Sequence, residues 1–243
     1  MTKPKSASAS GGHWVIVLRG KPDDLDEWRR FLQAPYDPFV EQLPGLEAPV
    51  LRCTEFEGMA PLKVYERARI IIDDLNGAIG VASRAGRVEY DGIAEVMADG
   101  TIKRSAFIEG AQFLILPSQI AEATTGGEPI PPGPTFAQKW LQIAAANETV
   151  ADMLRHFGAK LSWYDLYKAY DGIAGLCGGE AALRKRPWAG SSRVTLFKRT
   201  ANYYRHGHPH GARTSPPSNP MHIEEAREFI GRMIYAVMGE QKP

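Results

Sequence analysis

The sequence predicts an α+β protein: a sheet-and-helix module over residues 13–118, then an all-helical bundle over residues 135–239. Three observations carry this. Short apolar runs bounded by glycine, with an Asp-Gly pair between two of them, are confined to the first half. Amphipathic stretches at helical spacing fill the second half. Between them, Thr124-Thr-Gly-Gly127 and Pro129-Ile-Pro-Pro-Gly-Pro134 favour neither helix nor strand, so residues 119–134 read as a linker.

His13 to Arg19 is an apolar run between Gly12 and Gly20 and reads as a buried strand. Pro22, Asp23 and Asp24 open a helix, since its positive N-terminal end favours acids; Leu25, Trp28, Phe31 and Leu32 share one face. Pro49 to Phe56 predicts a second strand. A longer helix covers Leu62 to Val81, with Val64, Ala68, Ile71, Ile72, Leu75 and Ile79 inward, although Gly77 and Gly80 lower its propensity. Val88–Met97 and Ile102–Phe107 flank Ala98-Asp-Gly-Thr101, a hairpin turn in which glycine tolerates positive φ. Gln112 to Leu116 adds a strand. Arg52, Glu66, Arg67 and Asn76 are candidate ligand-pocket residues, and the module's role is open among sensor, dimerisation unit and inhibitory partner.

In the second half, Thr135 caps a helix carrying Phe136, Trp140, Ile143 and Ala144. Val150, Met153, Leu154 and Phe157 mark another, ending near Gly158. Ser162-Trp-Tyr-Asp165 has the form of a capping box with Asp in place of Glu, and Leu166, Tyr167, Tyr170 and Ile173 follow on one face until Gly178-Gly179. Ser191 or Ser192 caps the next helix. The last runs from Ile223 to Met238 with Ala226, Phe229, Ile230, Met233, Ile234 and Val237 inward.

Residues 1–12 read as a disordered tail, because Lys3 and Lys5 are not followed by the apolar stretch of a secretory signal. No apolar run approaches the roughly 20 residues that span a bilayer, so no membrane partner is expected. Cys53 and Cys177 are isolated thiols, which favours a reducing, cytoplasmic setting. The glycine pairs match neither phosphate-binding loop, and no Gly-x-Ser-x-Gly occurs, so no cofactor and no serine hydrolase chemistry is expected.

The charge distribution is more informative. The chain has 29 basic and 28 acidic residues, a net +1, yet Ala181 to Ile223 contains no acid. That stretch holds Arg184, Lys185, Arg186, Arg193, Lys198, Arg199, Arg205 and Arg213, leaving the other residues at 1 − 8 = −7. A basic segment on an acidic chain attracts polyanions, RNA among them, or an acidic protein partner.

Arg193 to His206 has helical periodicity. At 100° per residue Arg199 and His206 lie within about 20° of one azimuth and Asn202 about 60° away, while Val194, Phe197, Ala201 and Tyr204 form an apolar side. Lys198 and Arg205 flank the stripe. Arginine can hold a phosphate bidentately, histidine can move a proton near neutral pH, and asparagine can orient the histidine or a ribose hydroxyl. These groups suit metal-free cleavage of RNA. Arg184-Lys185-Arg186 would touch phosphates, with Trp188 and Tyr203 stacking on bases. The plainer alternative is a solvated helix face whose cations pair with acids. His206, His208 and His210 alternate along an extended stretch and offer a competing metal-binding reading, without an acid nearby in sequence to complete the set.

An Arg, six residues, then His, on a late helix of a helical bundle, resembles the motif of the HEPN superfamily. The match is Arg199 and His206, with Asn202 where that family often has a polar residue. Thr200 to Gly207, Pro216 to Met221 and Glu224 to Arg227 also look like the C-terminal region of uncharacterised bacterial HEPN-like proteins. The likeness covers residues 135–239 and implies a metal-independent ribonuclease, often a homodimer with paired motifs, of the kind found in toxin–antitoxin and phage-defence systems. One departure is the Gly/Pro/His-rich loop, Gly207 to Pro220, before the last helix. The competing expectation is a non-catalytic interaction protein that docks an acidic partner on the same basic helix.

Overall fold

The computed structural model describes residues 12–83, 85–108, 111–118, 133–205 and 217–241; for 106–108 and 111–118 it describes the backbone. The chain is α+β. Its strands are β1 (His13–Arg19), β2 (Phe39–Glu41), β3 (Val50–Arg52), β4 (Glu89–Val96), β5 (Ile102–Ile108) and β6 (Ala111–Ser118). Its helices are α1 (Pro22–Phe31), α2 (Pro61–Ala82), α3 (Phe136–Ala146), α4 (Glu148–Gly158), α5 (Trp163–Leu176), α6 (Glu180–Leu183), α7 (Ser191–Arg205) and α8 (Ile223–Glu240).

The strands form one antiparallel sheet in the order β2-β3-β1-β4-β5-β6. Alternation along β1 gives the sheet two buried faces. Ile16 and Leu18 join Leu51 and Ile93 in the main core, while Val15 and Val17 join Val50, Ala94 and Ile102 under Leu43, Leu46 and Ala48. The β4–β5 turn is the one expected at Asp99-Gly100. Gly100 adopts φ 81°, Gly100 N donates to Met97 O at 2.9 Å, and Asp99 Oδ1 accepts from Thr101 N at 2.9 Å.

The second strand is shorter than the apolar run predicts. It stops at Arg52, and Thr54–Phe56 winds into a 3₁₀ turn. The cause is local: Asp37 accepts hydrogen bonds from Thr54 N at 2.8 Å and Thr54 Oγ1 at 3.1 Å, drawing the backbone off the ladder. The strand β2 and the four-residue α6 carry too few residues to show a period, and neither was expected.

Helix α2 ties the two halves together. It packs beside the sheet, where buried Asn76 donates from Nδ2 to Val88 O at 2.8 Å and accepts from Val88 N at 2.9 Å. It also crosses α4 and α8, so one hydrophobic core runs from Ile16 to Met238. The helical half adds a second fixing. Thr135 and Gln138 form a capping box at the start of α3, and the fully buried Gln138 Nε2 reaches the carbonyl oxygens of Gln33, Tyr36 and Pro38 at 2.8–3.0 Å. At α5 the Ser162 side chain accepts from Asp165 N at 3.1 Å as a capping box requires, while Asp165 Oδ2 accepts from Ser162 Oγ at 2.6 Å. Among the described residues no helix is long and apolar enough to cross a membrane.

Candidate functional site

The basic segment folds largely as α7, so the stretch around Ala201 is helical. Its apolar side, Val194, Phe197, Thr200 and Ala201, is fully buried. The Phe197 ring lies 5.6 Å from Tyr170 on α5 and 6.2 Å from Phe229 on α8, which fixes the rotation of the helix. One expectation is corrected: Tyr204 is 39% exposed, and its ring stacks on Trp163 at 5.6 Å and an interplanar angle of 16°. Helical spacing placed it inward, but α5 begins there with the half-buried Trp163, and the two rings cover each other at the surface.

Rotation places Arg199 outward. It is exposed, and it makes no ion pair among the described residues. Asn202, three residues on, is half-buried; its Oδ1 is buried and has no hydrogen-bond partner among them. A buried acceptor left unmade costs about 1–3 kcal/mol, so this atom is poised to accept a bond. The third member of the stripe, His206, lies outside the described residues, as do His208, His210 and Arg213. The chain on either side of them is held on α7. Arg205 ends the helix, and Met221 N donates to buried Thr200 Oγ1 at 3.2 Å.

Most other cations of the segment are occupied. Glu180, the residue before the acid-free run, accepts from Arg184 Nε at 2.9 Å and from Lys198 Nζ. The Lys198 bond is the largest influence holding its carboxyl below the usual range, with Arg184 adding to it. Arg184 also bonds Ser191 O and Thr195 Oγ1. Arg186 pairs with Glu240 at 3.3 Å, and Arg193 with Glu225 at 2.7 Å. The Arg205 guanidinium lies 3.7 Å from the Tyr167 ring centroid. Tyr203 is half-buried, 5.0 Å edge-on to Tyr204. Lys185, like Arg199, is exposed and makes no ion pair among the described residues. The structure therefore brings Arg199 and Asn202 onto one side of α7 and ties Arg184, Arg186 and Lys198 to carboxylates. Those acids were missed because they flank the run or return from α8. Only Glu180, four residues before Arg184 at ion-pair spacing, was readable.

Other polar groups do not converge. Arg52 pairs with Glu41, Arg67 with Glu55, and Glu66 with Lys63, while Asn76 bonds Val88, so each of Arg52, Glu66, Arg67 and Asn76 has its own partner. His156 Nδ1 lies 3.0 Å from Asp165 Oδ1, but Ser162 bonds the same carboxylate and not the imidazole, so no base faces a serine there. Among the described residues no group of three His, Cys, Asp or Glu side chains is placed to hold a metal. Comparison with family models, curated proteins and solved structures returns no match.

Proposed function

We propose that this protein is HEPN-like and engages RNA through the outward side of α7, with Arg199 as its phosphate contact. The supporting observation is that Arg199 is exposed and unpaired among the described residues on a segment whose other cations are mostly engaged. A guanidinium that makes no ion pair keeps its donors for a phosphate.

In the catalytic form of this reading, a ribose 2′-hydroxyl attacks the adjacent phosphorus and the bond to the 5′-oxygen breaks. His206 takes the hydroxyl proton or returns one to the leaving oxygen, and Arg199 stabilises the charge gathering on the phosphoryl oxygens. Asn202 Oδ1 orients the imidazole or a ribose hydroxyl. The products are a 2′,3′-cyclic phosphate and a 5′-hydroxyl, and no metal is required. A homodimer would supply two such stripes to one site. Lys185 and Tyr203 extend the contact surface. Arg184, Arg186, Lys198 and Arg205 contribute once their present partners release them.

A second reading is favoured by the way Glu180, Glu225 and Glu240 neutralise the segment: α7 docks an acidic protein without cutting RNA. The histidine-bound metal centre remains a lesser proposal, resting on His206, His208 and His210. The deciding experiment is an RNA cleavage assay with chelator present. Wild type should cut and leave cyclic phosphate ends; Arg199→Ala and His206→Ala should lose at least about a hundredfold in rate. Arg199 is exposed, so its removal should shift stability by no more than about 0.5 kcal/mol. Equal activity in all three proteins rejects the nuclease. Failure of the wild type to bind RNA rejects RNA engagement, and unchanged binding by Arg199→Ala rejects Arg199 as the phosphate contact.

A further inference from the structure

Where the two halves meet, a cleft of about 870 Å³ opens between the end of α2, Phe157 of α4 and the first turns of α8. That is the size of a small-molecule site. Its lining sets apolar Val81, Phe157 and Tyr235 beside the charged Glu224, Glu228 and Arg232. Two glycines keep it open. A Cβ on Gly231 would lie 3.2 Å from Phe157 Cζ, and one on Gly80 would lie 3.1 Å from Arg227 Nη2.

Arg227 is the unusual member of this lining. It is half-buried, and no ion pair joins it to a carboxylate among the described residues. Burial alone pulls its guanidinium below the ordinary value. Nη1 donates to Phe157 O at 3.1 Å, and the guanidinium carbon sits 4.6 Å from the Phe157 ring centroid. That bond caps the last turn of α4 and accounts for one of five donors. Arg227 also borders an adjoining cavity of about 540 Å³, to which Lys160 contributes an exposed ammonium. Glu224, Glu228 and Arg232 stand on the exposed side of the cleft, whereas Arg227 is half-buried and makes no ion pair among the described residues, and a half-buried cation without a paired carboxylate is half of a binding pair.

We propose that this cleft binds a small organic anion, a carboxylate or phosphate monoester carrying an apolar group, with Arg227 clamping the charged end. The apolar group lies against Phe157, Val81 and Tyr235. Nothing in this site depends on the RNA reading of α7, and its test does not involve RNA.

The test is calorimetric titration of the full chain with benzoate, phenyl phosphate, inorganic phosphate and the neutral benzamide. The better of benzoate and phenyl phosphate should bind at least about tenfold more tightly than benzamide, a gap of about 1.4 kcal/mol. Phenyl phosphate should also exceed inorganic phosphate. Arg227→Met should abolish the preference for the anion. Ala82→Trp, at an exposed cleft position, should weaken binding about tenfold without lowering the melting temperature. This second variant keeps the test decisive if Arg227→Met destabilises α4. Failure of every probe to bind at millimolar concentration overturns the proposal. So does an unchanged preference in Arg227→Met, or wild-type affinity in Ala82→Trp.

Discussion

Gly77 of α2 and Gly158 of α4 meet backbone to backbone where the two helices cross. A Cβ on Gly158 would stand 2.5 Å from Gly77 N, and one on Gly77 would overlap the Leu154 carbonyl. Glycine inside a helix lowers its propensity by about 1 kcal/mol, and here that loss permits the close crossing on which both halves rest. Gly77→Ala and Gly158→Ala should each destabilise by about 3 kcal/mol, because backbone must move to admit the methyl group. Urea unfolding measures this, and wild-type midpoints in both variants would contradict the crossing.

Asp74 is 4% exposed, and its Oδ1 accepts from Arg155 Nε at 2.9 Å. Burial, the larger influence, raises its carboxyl from the ordinary 3.8 to about 6, against the pull of Arg155. The folded chain thus holds this proton more tightly than the unfolded chain does. The resulting stabilisation is complete below about pH 3.8 and is lost as pH rises through about 6. Asp74→Asn keeps an acceptor for Arg155, whose Nη1 still has Asp152 at 2.8 Å. The variant should exceed wild type by about 2–3 kcal/mol at pH 8 and converge with it near pH 4. Denaturant curves at both pH values test this, and a pH-independent difference would count against it.

Glu180 holds Lys198 and Arg184 together, and all three side chains remain partly open to solvent. Glu180→Gln removes the negative charge and frees both cations. If α7 engages RNA, this variant should bind it several-fold more tightly and with a steeper dependence on salt. Fluorescence anisotropy at two salt concentrations measures both quantities. Unchanged affinity would mean that these cations serve structure alone.

Periodicity was a sound guide wherever an element was long enough to express it. The inward positions of α2 and α8 were readable, because one buried stripe recurs over many turns. The shared core was not, since Gly77 reads as a weak helix position until its crossing partner Gly158 is known. The same limit applies to the site. Arg199 and its helical setting follow from local spacing. The fate of Arg186 and Arg193 depends on Glu240 and Glu225, which are far along the chain. Arg227 gave no sequence signal for a cleft, because its half-burial without an ion pair among the described residues is a property of packing.

The two thiols are both sheltered. Burial, with Asp37 nearby, pushes Cys53 up to about 12, and its Sγ lies 3.6 Å from Asp37 Oδ2. Cys177 is 8% exposed, and burial raises it too. Neither should react appreciably with Ellman's reagent at pH 8 in the native protein, and both should react in denaturant. Rapid labelling of the folded chain would contradict these environments.

Gln138 has a consequence for how the polypeptide comes apart. Its amide is shared with three carbonyls a hundred or more positions back along the chain, in a place water does not reach. A protease nick between residues 119 and 132 should therefore yield two fragments that travel as one species through a sizing column. Heating should release them together in a single cooperative step, since neither piece can depart without stranding that amide.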